Sequence, residues 1–423
     1  MSKYIQVANK YKNILQNLSY ISILQIFILL APLITYPYLV KVLGPELYGY
    51  IITAQVLSSY CSIIIDFGSN SVCAKHVSIN RSDNNKLSEI VSSVLCIRSV
   101  LWIICLLFYI LIIFLIPSYR AHFFLFLFSY GLTLNEVLFP QYFFQGIEKM
   151  KYSTLINILI KAVFIALVFV VVKSETDYLY VPLLYAGGYG IGGCVAMYVI
   201  LGKMKIRLIK PTIRTLKYYI KDCSTILATD LICTIKDKLN YLLLGSFAGM
   251  GSVVVYDLGS KINALLYKPT EIIRTVLLPH FAKNKNVKQF KKSVLITMLI
   301  SVFFVVLVNI FLPQIVEFFI HEEIVMWPIR IFTLAPIILS ISVPIASNAF
   351  IAWGYNKYIL YSIIVTTIFY VLSFIVFYYF DFLNHVSSFI LIAIISYIVE
   401  LIYRLYAFAK IEKNKVHSNC KDI

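Results

Sequence analysis

Apolar runs of about twenty residues recur along the chain, separated by short polar stretches rich in lysine and arginine. Twenty residues of helix rise about 30 Å, the thickness of a bilayer's hydrocarbon core. Each run therefore predicts a membrane-spanning helix. Roughly twelve runs qualify, centred near Ile26, Val56, Ile104, Leu132, Val163, Gly192, Ala228, Ala264, Phe304, Ile338, Val365 and Ile395. The first six fill most of residues 1–202, and the last six fill 222–410. Between them, 203–221 is the most basic stretch and reads as a cytoplasmic linker between two halves. Residues 411–423 read as a cytoplasmic tail. The expected fold class is an all-α polytopic membrane protein with two pseudo-symmetric six-helix halves.

Composition agrees. Of 423 residues, 60% are hydrophobic and 13% charged, against about 25% charged in soluble domains, and the mean hydropathy is +0.85. A water-soluble enzyme is excluded. The net charge of +17, from 37 Lys+Arg against 20 Asp+Glu, does not indicate nucleic acid, because the cations fall in short clusters between apolar runs. With the N-terminus in the cytoplasm, roughly 26 Lys and Arg fall inside, those from Arg404 to Lys421 counted with the tail, and about 4 outside, a strong positive-inside bias. Both termini are then cytoplasmic. The first apolar run, Ile14 to Val40, is too long for a cleaved signal.

No cofactor is expected. Cys61, Cys73, Cys96, Cys105, Cys194, Cys223 and Cys233 lie in or beside apolar runs, with no CxxC pair or zinc spacing, and read as inert thiols. There is no Walker A sequence. Gly188-Tyr-Gly190-Ile-Gly192-Gly193 lacks a preceding strand and reads as close helix packing. Pro328, Pro336 and Pro344 predict a kinked tenth helix.

The chain shows signs of an internal repeat. Gly146-Ile-Glu-Lys149 follows the fourth run and Gly354-Tyr-Asn-Lys357 the tenth. Gly44 follows the first run, and Gly249 and Gly251 the seventh. All are offset by about half the chain, which predicts repeats related by an axis along the membrane normal.

Polar residues inside the spans form stripes. Tyr48, Gln55, Ser59, Ser62 and Asp66 fall on one face of the second span. Asp230, Thr234, Asp237 and Tyr241 share a face of the seventh, and Asp257, Lys261, Lys268 and Glu271 one of the eighth. A charge at the bilayer centre costs about 2.5–3.5 kcal/mol even on the lenient scale. These residues must face water, one another or a charged ligand. Lys261, with Lys268, Lys236, Lys238, Arg274 and Arg98, is the candidate cationic lining for an anionic headgroup such as pyrophosphate. Asp66, Asp230, Asp237 and Asp257 would carry a coupling H+ or Na+ or serve as counter-ions. Gln55, Ser59, Ser62 and Tyr241 would complete the polar lining. The competing reading pairs Asp257 with Lys261 and Glu271 with Lys268 or Arg274 along the helix, while Arg98, Lys161 and Arg274 snorkel to the membrane surface.

Three stretches carry a family resemblance. Pro32-Leu-Ile-Thr-Tyr-Pro37 through Gly44-Pro-Glu-Leu-Tyr-Gly49, Asn80-Arg-Ser-Asp through Glu89, and Phe143-Phe-Gln-Gly-Ile-Glu-Lys-Met-Lys-Tyr152 resemble the O-antigen flippases (Wzx family). The resemblance implies a fold related to multidrug-and-toxin exporters. It implies a bacterial inner-membrane protein that moves undecaprenyl-pyrophosphate-linked oligosaccharide to the periplasmic leaflet, with polymerase and chain-length proteins of the same pathway as partners. It also implies a cationic central cavity. A drug or small-cation exporter of the same fold would instead need an acid-dominated cavity. A membrane-embedded polymerase or ligase would need a larger outer loop than any present.

Overall fold

The computed structural model describes residues 2–320, 326–355 and 357–419, with side chains described except at 2–24, 26, 28, 29, 236, 237, 279 and 414–419. Among the described residues there is helix and no strand. Every span centre expected from the sequence falls on helix or helical turn. The chain packs as two units, Met1–Leu242 and Leu243–Ile423.

The first unit contains α1 (Ser2–Asp66), α2 (Ser69–Ile79), α3 (Asn84–Leu115), α4 (Pro117–Ala121), α5 (Phe123–Tyr130), α6 (Leu134–Leu138), α7 (Gln141–Gly146), α8 (Met150–Val171), α9 (Tyr180–Tyr198) and most of α10 (Ile213–Phe247). The second contains the end of α10, then α11 (Met250–Lys283), α12 (Val287–Ile320), α13 (Met326–Phe332), α14 (Ala335–Pro344), α15 (Lys357–Tyr379) and α16 (Val386–Asn419). Nine helical stretches among the described residues are long and apolar enough to cross a membrane. α10 and α11 fall outside that group because of the charges they carry, and Leu30–Ile79 counts as one stretch although Gly44 breaks it.

The breaks show the repeat in the backbone itself. Gly44 (φ 75°, ψ 160°) interrupts α1, and Gly249 (φ 84°, ψ 160°) separates α10 from α11. Only glycine adopts this conformation without strain. After α7, Glu148 is left-handed (φ 58°), and the Lys149 N–H donates to the Phe144 carbonyl at 2.9 Å. Before α15, Gly354 is left-handed (φ 86°), and the Tyr355 N–H donates to the Phe350 carbonyl at 2.7 Å. Both are Schellman-type helix ends. They pair Glu148 with Gly354, 206 residues apart, close to the 205 between Gly44 and Gly249. The sequence had aligned Gly146 with Gly354, two residues out of register. The recurring feature is the turn's backbone, and the N-terminal half builds it on a glutamate.

The fourth and tenth spans are both interrupted. Residues 131–133 form a tight turn between α5 and α6, and Phe139-Pro140 separate α6 from α7. The expected kink of the tenth span is a break at Thr333-Leu334 followed by a wide π-turn, Ile345–Ile351. Each interruption is tied to the preceding span through a fully buried threonine. Thr133 Oγ1 accepts from Trp102 Nε1, and Thr333 Oγ1 from Asn309 Nδ2, both at 2.8 Å.

The Gly188–Gly193 segment packs as expected. A Cβ at Gly192 would meet Ile160 Cδ1 at 2.0 Å, and one at Gly193 would meet Leu138 Cβ at 2.4 Å. In the loop after α8, the Asp177 carboxylate accepts the N–H groups of Lys173 (3.0 Å) and Ser174 (2.9 Å), which hold its pKa below the usual carboxylate value. The stability this lends is present at neutral pH and is lost as pH falls through that lowered value.

Two of the family-like stretches meet. Arg81 Nε donates to the Gly146 carbonyl at 2.6 Å and Arg81 Nη2 to Glu148 at 2.8 Å. Gly146 lies against α2, where an added Cβ would sit 2.5 Å from Val77 Cγ1 and 2.8 Å from the Ala74 carbonyl. Gly146→Ala should therefore force α2 and α7 apart and cost about 1–3 kcal/mol, read as a lowered unfolding midpoint of purified protein. An unchanged midpoint would show the contact to be loose.

Candidate functional site

In the first unit, α1 ends at Asp66. Left-handed Phe67 (φ 42°) and Gly68 (φ 78°) turn the chain into α2. Asp66 Oδ1 accepts from the Asn70 N–H (3.3 Å) and Ser69 Oγ (3.1 Å), which gives one N–H of the first turn of α2 an acceptor. Arg98 reaches this turn from α3. Its guanidinium pairs with Asp66 and donates from Nε to Ser69 Oγ (3.0 Å), from Nη2 to Asn70 Oδ1 (3.1 Å) and from Nη1 to the Glu136 carbonyl (2.5 Å). It lies 5.3 Å from the centre of the Tyr142 ring. Arg98 is 1% exposed, so it does not snorkel.

Beside this pair is a polar cavity of about 320 Å³, lined by Ser62, Asp66, Asn70, Glu136, Asp230 and Thr234 among others. It holds three carboxylates beside one guanidinium that protein acceptors already occupy. Such a cavity attracts protons or small hard cations, for which carboxylate, hydroxyl and amide oxygens are suited ligands. Among the described residues no three Asp, Glu, His or Cys are grouped closely enough to hold a metal ion.

The residues of the second span's predicted stripe occupy different surroundings. Ser62 and Asp66 line the cavity, and Gln55 and Ser59 are half-buried on the same helix. Tyr48 is buried edge-on against Tyr36 at 5.0 Å. From α10, Asp230 and Thr234 join the cavity, while Lys238 and Tyr241 are half-buried. The side chains of Lys236 and Asp237 lie outside the described residues. Lys161 is half-buried in α8.

In the second unit, pairing along α11 is what forms. Lys261 pairs with the buried Asp257, and Lys268 Nζ lies 2.9 Å from Glu271. Arg274 is half-buried, and its carbonyl accepts from Asn348 Nδ2 at 3.1 Å. Asn263, Tyr267, Thr270 and Arg274 recur at steps of four, three and four, a single helix face. Asn263 Oδ1, Thr270 Oγ1 and Arg274 Nε on that face find no hydrogen-bond partner among the described residues.

Sequence reasoning missed three charges. Glu136 sits in a broken apolar segment and was not singled out. Arg404 was counted with the cytoplasmic tail, but is 6% exposed inside α16 and paired with Glu400, itself 4% exposed. Arg404 also donates from Nη1 to Ser342 Oγ at 3.0 Å. The available signal was a Glu and an Arg four residues apart within an apolar run.

Long apolar helices, ion pairs buried within them and a polar cavity define a multi-pass membrane protein. The fold is shared with a multidrug resistance MATE family transporter of the MOP superfamily in its inward-facing conformation (TM-score 0.65, 15% identity, covering 91% of this chain and 96% of that one). It is shared equally with the lipid II flippase MurJ in an inward closed conformation (TM-score 0.65, 14% identity, 93% and 87%). The chain belongs to the polysaccharide biosynthesis protein family, whose pattern matches residues 14–285. Its relatives include candidate O-antigen transporters of Escherichia coli (strain K12), 23% identical over 66% of this chain and 68% of theirs, and of Shigella dysenteriae, 21% identical over 65% and 69%. The resemblance read from the N-terminal stretches is thus met, and all three stretches lie inside the matched region.

Proposed function

We propose that this protein is a flippase that carries undecaprenyl-pyrophosphate-linked oligosaccharide, an O-antigen or capsule repeat unit, from the cytoplasmic to the periplasmic leaflet of the inner membrane by alternating access. The family match over residues 14–285 is the observation that carries this reading. In it, the pyrophosphate meets the α11 cations Lys261, Lys268 and Arg274, with Lys236 and Lys238 of α10 nearby in sequence. The carboxylates that pair with Lys261 and Lys268 hold those ammonium groups in place until the anion displaces them. The acidic cavity, with Asp66, Asp230 and Glu136, binds the coupling H+ or Na+. Both termini are cytoplasmic.

The test is transport in vesicles. Purified protein reconstituted with a fluorescent undecaprenyl-pyrophosphate oligosaccharide should move it between leaflets, faster under an imposed H+ or Na+ gradient. Protein that leaves this lipid in place yet expels a cationic dye would overturn the assignment. That second reading, a drug or small-cation exporter, is favoured by one observation: carboxylates outnumber cations around the first unit's cavity.

A further inference from the structure

The linker from Lys203 to Lys221 carries seven lysines and arginines and no Asp or Glu. It is an ordered strap. The Met204 N–H donates to the Val199 carbonyl (3.1 Å) and the Ile206 N–H to the Ile200 carbonyl (3.2 Å). The Ile206 side chain is buried at 3% exposure. Two hydroxyls one turn apart on α3 then hold the backbone: Ser88 Oγ accepts the Arg207 N–H at 3.0 Å, and Ser92 Oγ accepts the Ile209 N–H at 2.9 Å.

Fastening the backbone inward turns the side chains outward. Lys203, Lys205, Arg207, Lys210, Arg214 and Lys217 are all exposed, and so are Leu208, Ile209, Ile213 and Tyr218 between them. Among the described residues none of the linker cations forms an ion pair, whereas nearby Arg81 and Lys86 pair with Glu148 and Glu89. The strap lies where α3 begins, α9 ends and α10 begins. Helices that cross a bilayer end at its headgroup layer. Uncompensated cations interleaved with exposed apolar side chains at that level match a surface of negative headgroups over acyl chains.

We propose that the strap is a binding surface for anionic phospholipid headgroups, and that it pins this end of the first unit to the membrane surface. Each Lys or Arg near such a surface contributes about 1 kcal/mol, screened by salt. This inference stands apart from the transported substrate.

The test uses the full chain in nanodiscs of phosphatidylcholine, alone or mixed with phosphatidylglycerol. Bound lipid is counted by native mass spectrometry after release. Wild type should retain phosphatidylglycerol over phosphatidylcholine at least tenfold, and high salt during reconstitution should reduce that preference. The combined variant Lys205→Gln, Arg207→Gln, Lys210→Gln, Arg214→Gln should lose it while its unfolding midpoint in phosphatidylcholine stays at the wild-type value. Replacing Lys205 and Lys210 by Arg should preserve the preference. Should the four-Gln variant fail to fold, the salt dependence of wild type and the Ser88→Ala, Ser92→Ala variant, which frees the strap and should weaken the preference, decide the matter. Equal retention of both lipids by wild type, or equal stabilisation by soluble inorganic phosphate, would overturn the proposal.

Discussion

Replacing Arg98 with methionine should destabilise the protein by about 3–5 kcal/mol, the cost of removing one partner of a buried ion pair. Methionine fills most of the volume but donates nothing. Asp66 would keep its charge with its counter-ion gone, and Ser69, Asn70 and the Glu136 carbonyl would each lose a donor. The loss reaches across three helices, because the guanidinium ties the α1–α2 turn to α3 and to the broken fourth span. Unfolding midpoints of purified protein in detergent measure it. Asp66→Asn should cost less than Arg98→Met, since an amide oxygen still accepts from the guanidinium. An Arg98→Met protein as stable as wild type would show that the buried pair does not hold these elements together.

Lys261→Ala should do the reverse: cost less stability than Arg98→Met and slow transport by one to two orders of magnitude. The Lys261 side chain is 29% exposed, against 1% for Arg98, so its charge is the better solvated of the two and its removal disturbs the fold less. A charge-assisted contact to a bound pyrophosphate is worth about 1.5–3 kcal/mol, so its loss lowers lipid movement roughly 10–150-fold. Initial rates of leaflet exchange in vesicles, at matched protein levels, are the measurement. Wild-type rates from Lys261→Ala would sink the proposed pyrophosphate site and leave Lys261 a counter-ion to Asp257.

How much could be read from the chain follows the physics of each signal. Spans were legible because hydropathy sums over twenty residues, and the tenth-span break because proline removes a backbone donor. The α11 pairs were legible because partners four and three residues apart on a helix must meet. Arg98 with Asp66 was not, because they are 32 residues apart and only the packing of α3 on α1 joins them. The basic strap was read as a linker. Its order was invisible because it rests on two serine hydroxyls of another helix. Arg404 was misplaced because a cation near the end of the last apolar run looks the same whether it snorkels or turns inward.

The buried ion pairs also set an order of biogenesis. In the first unit, Arg98 finds Asp66 as soon as the third span has been made. In the second, Ser342 leaves the ribosome 62 residues ahead of Arg404, which donates to it from α16 beside its partner Glu400. A chain truncated before α16 therefore lacks this buried pair of the second unit, whereas the first unit already has its own ion pair in place.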